Sequence, residues 1–147
     1  MKTETYRTAG AEETRALAAR LAAEAPDGTV MLLTGELGAG KTCFAQGLAR
    51  ACGVAKSVTS PTFTLVNEYA GSVRRFAHMD LYRMAGGEAE AHDIGIDEYL
   101  EGFPGLVAIE WPAQAASLMP EGAWRICLAV PGEGGESERS ITVARGG

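Results

Sequence analysis

Gly35-Glu36-Leu37-Gly38-Ala39-Gly40-Lys41-Thr42 fits the pattern G-x-x-x-x-G-K-[ST], a phosphate-binding loop. Ahead of it, Val30-Met31-Leu32-Leu33-Thr34 is a short apolar run with the length of a buried strand. Behind it, Phe44, Leu48 and Cys52 recur at helical spacing, and Gly53 closes the segment. Strand, glycine loop and helix together are the context this motif requires. The glycines let backbone N–H groups wrap an anion, and the helix N-terminus adds its dipole and unpaired donors. The spacing therefore predicts a bound nucleoside triphosphate across residues 35–43. Lys41 supplies charge to the β- and γ-phosphates, and the Thr42 hydroxyl is offered to Mg²⁺, which prefers oxygen ligands.

Outward from the loop, the 147 residues suit one domain spanning residues 1–147. Hydrophobic residues make up 46% and charged residues 22%, an ordinary globular balance. No apolar run approaches the roughly 20 residues of a membrane helix, so no membrane contact is expected. The N-terminus is too polar for a secretory signal. Cys43, Cys52 and Cys127 are odd in number and lack metal-like spacing, which reads as reduced thiols in a cytoplasmic protein. Net charge is −6, and the lysines are Lys2, Lys41 and Lys56 alone. The isolated chain is expected to bind nucleic acid poorly. Arg74, Arg75 and Arg83 form the single basic cluster, read as a solvated strand edge or as a surface for an acidic partner.

The remaining elements follow from periodicity. Residues 2–8 alternate weakly, as an edge strand does, and residues 12–24 form a helix with its acids at the start. Residues 62–69 and 73–80 read as an antiparallel hairpin, and residues 86–101 as two helical pieces broken at Gly95. Leu106-Val107-Ala108-Ile109 reads as a central parallel strand buried on both faces. A short helix over 112–118 and strands over 123–130 and 140–144 complete the chain. The class is α/β, like the phosphate-loop nucleotide hydrolases.

A phosphate loop needs a carboxylate at a strand end for the Mg²⁺ site. Asp80 and Glu110 both end apolar runs, and ligands of open α/β sheets sit beyond the carboxyl ends of strands. Both stand as candidates. Thr62, within Ser60-Pro61-Thr62-Phe63, is either a switch threonine sensing the γ-phosphate or a plain strand start. Trp111 either packs near the nucleotide or caps the core, and His78 and His92 read as structural. The N-K-x-D element of guanine-specific enzymes is absent, so ATP is preferred over GTP. No stretch resembles the basic lid of a small-molecule kinase. What remains is a minimal ATPase, in which water attacks the γ-phosphate while Lys41 and Mg²⁺ stabilise the developing charge.

The blocks Gly35–Thr42, Ser60-Pro61-Thr62-Phe63, His78-Met79-Asp80-Leu81-Tyr82-Arg83, Gly95-Ile96-Asp97-Glu98-Tyr99 and Ile109-Glu110-Trp111-Pro112 resemble, in order and spacing, the bacterial TsaE family. The resemblance implies an ATPase required for threonylcarbamoyladenosine in tRNA, docking on TsaD and TsaB and resetting that machine by ATP hydrolysis. It also implies a central parallel sheet flanked by antiparallel strands. By the same resemblance Lys41 binds phosphate, Thr42 and Glu110 ligate Mg²⁺, Asp80 lies by the metal waters, and Thr62 belongs to a switch segment. Cys43 departs from the family pattern, which usually has a second threonine there. A thiol at a helix N-terminus is expected to have a lowered pKa. Two other readings stand beside this one: a free-standing small-molecule kinase and a nucleotide-gated interaction module without turnover.

Overall fold

The computed structural model describes residues 3–36, 38–59, 61, 65–82, 84, 87–93, 95–131 and 137–146. Alternating exposure makes Thr3–Thr8 an edge strand, β1. Ala11–Glu24 forms α1, with Glu12 and Glu13 in its first turn and the Glu13 Oε1 accepting the Ala9 N–H at 3.1 Å. Val30–Thr34 is β2, its apolar residues all buried. Lys41–Cys52 is α2, which ends at Gly53 in the left-handed conformation. Val66–Tyr69 and Arg75–Asp80 are β3 and β4, paired antiparallel as expected. Gly87–Asp93 and Asp97–Leu100 are α3 and α4, with Gly95 between them at φ +77°. Gly105–Glu110 is β5, buried throughout. A 3₁₀ helix follows over Pro112–Leu118, and Trp124–Ala129 and Arg139–Ala144 are β6 and β7.

The strands form one seven-stranded sheet in the order β1-β7-β6-β2-β5-β4-β3. β6, β2, β5 and β4 run parallel, and β7, β1 and β3 are antiparallel to their neighbours. Side chains alternate across this sheet. Met31, Leu33, Phe76, Leu106, Ala108 and Ile126 meet α1 and α2 on one face. Val30, Leu32, Ala77, Met79, Val107 and Ile109 join Leu81, Met84, Ala91 and Ile96 on the other. A central strand buried on both faces must be apolar at every position, which is why β2 and β5 read as unbroken hydrophobic runs.

The parallel register decides where function can sit. Leu33 lies beside Glu110, and Glu110 beside Asp80, so β2, β4 and β5 end at one edge of the sheet. The phosphate loop leaves β2 at that edge. The strand expected from residue 62 begins at Val66 among the described residues. Leu65 holds φ +63°, a left-handed turn that an extended chain cannot contain. Thr62 and Phe63 lie outside the described residues, as does Leu37.

Candidate nucleotide site

Gly35 and Gly40 shape the loop. A Cβ at Gly35 would stand 2.5 Å from the Leu128 carbonyl oxygen, so only glycine lets the loop pass β6. Gly40 caps α2 at φ 103°, a left-handed conformation that turns the chain into the helix. From the first position of α2, the Lys41 ammonium donates to the Gly35 carbonyl at 2.5 Å and the Glu36 carbonyl at 3.0 Å. It also sits 4.4 Å from the centroid of the Trp111 indole, a cation–π distance. Lys41 is buried, which pushes its pKa down, while Glu110 and Asp80 pull it back up.

Lys41, Thr42, Cys43, Gly38 and Gly40 line a cavity of about 250 Å³ together with Asp80, Tyr82, Glu110 and Trp111. Phosphate loop, both candidate carboxylates and the candidate tryptophan therefore share one concavity. Gly35, Glu36 and Ala39 line a different cavity, with Cys127 to Val130. Asp80 is half-buried; burial raises its pKa, the Tyr82 N–H donated to Oδ1 at 3.0 Å lowers it, and Glu110 raises it. Glu110 is buried, and its Oε2 lies 2.5 Å from His78 Nε2. Trp111 occupies the left-handed region at φ 58°, ψ 50°, an uncommon place for a bulky side chain that costs about 1–3 kcal/mol. That conformation turns the indole onto Lys41 and against Tyr82, with ring centroids 4.8 Å apart. Among the described residues no group of three His, Cys, Asp or Glu could hold a metal. One or two carboxylates, a hydroxyl and phosphate oxygens suit Mg²⁺ rather than a transition metal, and Thr42, Asp80 and Glu110 fit that donor set.

Two features escape a reading of the sequence. Arg139, at the start of β7, donates from Nε to the Ala39 carbonyl at 3.0 Å and from Nη2 to the Gly38 carbonyl at 3.1 Å. It fixes the outer wall of the loop from β7, two strands away from β2. A second cavity of about 150 Å³ opens there, lined by Gly10, Ala11, Thr14, Gly40, Cys43, Ser137 and Arg139. His78, expected to be merely structural, touches Glu110. His92 is exposed and pairs with Asp97 at 3.0 Å.

Two expectations are corrected. Burial raises the Cys43 thiol pKa rather than lowering it, and its Sγ donates to the Ala11 carbonyl at 3.2 Å. Arg74 and Arg75 stand at the opposite end of β4 from Asp80. Arg74 donates to the Ala25 and Ala22 carbonyls at the end of α1 and pairs with Asp27; Arg75 pairs with Glu68. Arg74 is therefore not solvated as the cluster reading expected; Arg75 is half exposed, and Arg83 lies outside the described residues.

The sheet, the loop and its strand-end acids define a phosphate-loop protein of the nucleotide-binding α/β class. A sequence model of the family described as threonylcarbamoyl adenosine biosynthesis protein TsaE matches residues 8–141. The chain belongs to that family. The tRNA threonylcarbamoyladenosine biosynthesis protein TsaE of Bacillus subtilis is 42% identical over 142 residues, 97% of this chain and 85% of that protein. Its counterpart from Treponema pallidum is 45% identical over 118 residues, 80% and 83% of the two chains. A crystal structure of YdiB from Bacillus subtilis superposes with a TM-score of 0.78 at 36% identity, covering 99% of this chain and 87% of that one. In the described residues no helix is long and apolar enough to cross a membrane.

Proposed function

We propose that this chain is a Mg²⁺-dependent ATPase, folded as one unit over residues 1–147, that serves tRNA threonylcarbamoyladenosine formation in the cytoplasm. The observation that carries the reading is the convergence of Lys41, Asp80, Glu110 and Trp111 on one cavity beneath the phosphate loop, in a chain whose relatives bear the TsaE name. Dependence on TsaD and TsaB rests on the family resemblance.

The β- and γ-phosphates sit against the loop backbone and Lys41, whose ammonium offsets charge gathering on the γ-oxygens during in-line attack by water. Thr42 and Glu110 would hold Mg²⁺, with Asp80 on its waters; the ion supplies Lewis-acid neutralisation of the phosphates. Thr62 serves as the switch threonine in the same reading. Trp111 shields the Lys41 ammonium from water, which strengthens its field at the phosphates. The nucleoside end runs past Cys43 into the cavity beside Arg139, since Gly40 and Cys43 line both concavities.

Calorimetry with ATP tests this directly. Lys41→Ala removes a charge-assisted hydrogen bond worth about 1.5–3 kcal/mol, so Kd should rise roughly ten- to a hundred-fold. Equal affinity in variant and wild type would end the assignment. Phosphate release measured alone and with TsaD and TsaB addresses the partners. Turnover appearing only in the mixture supports the proposal, acceptor-dependent phosphate transfer supports a kinase, and binding without turnover supports an interaction module.

A further inference from the structure

His78 and Glu110 form a buried pair beneath the cavity, their side chains 0% and 4% exposed and Nε2 and Oε2 2.5 Å apart. Strand parity brings them together. His78 and Glu110 project to the same face of the sheet as Phe76 and Ala108, the face that α2 covers. His78 aligns with Ala108, two residues along β5 from Glu110, so the imidazole reaches Glu110 diagonally across a parallel register.

Among the described residues His78 Nδ1 is buried and has no hydrogen-bond partner. That orphan atom decides which nitrogen carries the proton. A proton on Nδ1, in the neutral ring or in an imidazolium, would leave a buried N–H donor unmade. Bare lone pairs are tolerated more readily than bare N–H groups. The remaining arrangement is a neutral ring with its proton on Nε2, donated to the Glu110 carboxylate. Oε2 is then occupied, and Oε1 is the oxygen this carboxylate can turn to the cavity.

We propose that His78 is a positioning residue: its Nε2–H clamps Oε2 of Glu110 so that Oε1 faces the Mg²⁺ side of the phosphate site. The inference rests on the proposed role of Glu110 at that metal. A carboxylate clamped at one oxygen keeps a single rotamer, so the metal is met without first ordering the ligand.

The test compares ADP binding with and without Mg²⁺ by calorimetry in wild type, His78→Asn, His78→Gln and Glu110→Gln. His78→Asn cannot reach Oε2, and the Mg²⁺-linked gain in ADP affinity should fall about ten- to a hundred-fold. His78→Gln places an amide N–H near the Nε2 position and should retain most of the gain. Metal-free ADP affinity should match wild type in both. A folded His78→Asn with an undiminished gain overturns the positioning role. Loss in Glu110→Gln without loss in His78→Asn overturns that role alone; an undiminished gain in Glu110→Gln overturns the metal reading beneath it. Nitrogen-15 NMR of the wild-type imidazole needs no variant. The expected signature is protonated Nε2 and bare Nδ1 at neutral pH, and a proton on Nδ1 overturns the assignment.

Discussion

Asp80 shows how a site residue can oppose the fold that carries it. Burial raises its carboxyl pKa and Glu110 adds to the rise, more than the Tyr82 N–H offsets. A proton is therefore held more tightly in the folded state than in the unfolded chain. The stability this provides is complete below the unfolded value of 3.8 and is lost as pH rises through the higher folded value. Asp80→Asn keeps an acceptor for Tyr82 and removes the charge. It should melt above wild type at neutral pH, with the gap closing as pH falls below about 4. Its Mg²⁺-linked nucleotide affinity should drop. Thermal melts between about pH 3 and 7 check the sign, and a variant less stable than wild type at neutral pH would contradict it. Residues of this kind are legible where the motif is contiguous: Gly35 to Thr42 declares itself, and the ends of two apolar runs mark Asp80 and Glu110. Arg139 and the His78–Glu110 pair were not legible. Each contact depends on strand order and register, which no local pattern records.

At the scale of elements, α2 is aimed by α1. Gly47 faces α1 so closely that a Cβ there would lie 2.3 Å from the Arg15 carbonyl oxygen and 2.7 Å from the Ala18 Cβ. Ala18 and Ala22 are fully buried, so small residues on both helices let the backbones approach. The same helix carries Lys41 and Thr42 at its start, and a shift of its axis moves them. Gly47→Ala gains about 1 kcal/mol of helix propensity. It meets a backbone oxygen that cannot rotate away, and overpacking of this kind costs about 1–3 kcal/mol. The clash should win, with a lower denaturation midpoint and weaker ATP binding. A variant at least as stable as wild type would show that the helix pair can part freely. The helices were readable from apolar spacing at period 3.6, and the central strands from short apolar runs whose length and flanking glycines argue against a buried helix. The start of β3 was not, because a turn at Leu65 interrupts a segment whose composition favours a strand. Residues 112–118 were read as helical; the chain there is 3₁₀, with Ala115 at φ −141° breaking the regular path.

For the molecule as a whole, charge is distributed as pairs rather than as a face. Arg50 and Arg15 both meet Glu12, Arg145 meets Glu4 and Glu24, Arg7 meets Glu138, and Arg75 meets Glu68. Such exposed pairs are individually worth little for stability, but they leave few cations to project field into solvent. Arg74 differs, since it is largely buried at the end of α1 against Asp27 and two carbonyls. Arg74→Glu should lower the melting temperature before it alters any association, whereas Arg75→Glu should mainly repel Glu68. Tight tRNA binding depends on neutralising phosphates with clustered Lys and Arg, each contact releasing counterions. A chain of net charge −6, with Arg7, Arg15, Arg50, Arg74, Arg75 and Arg145 paired to acids and Arg139 to loop carbonyls, has little to contribute to that term. We therefore expect no submicromolar binding of tRNA by this chain alone at about 0.15 M salt. Filter binding across a salt series would decide. A steep fall in affinity with salt, starting from a submicromolar Kd, would reveal a folded basic surface and contradict this expectation.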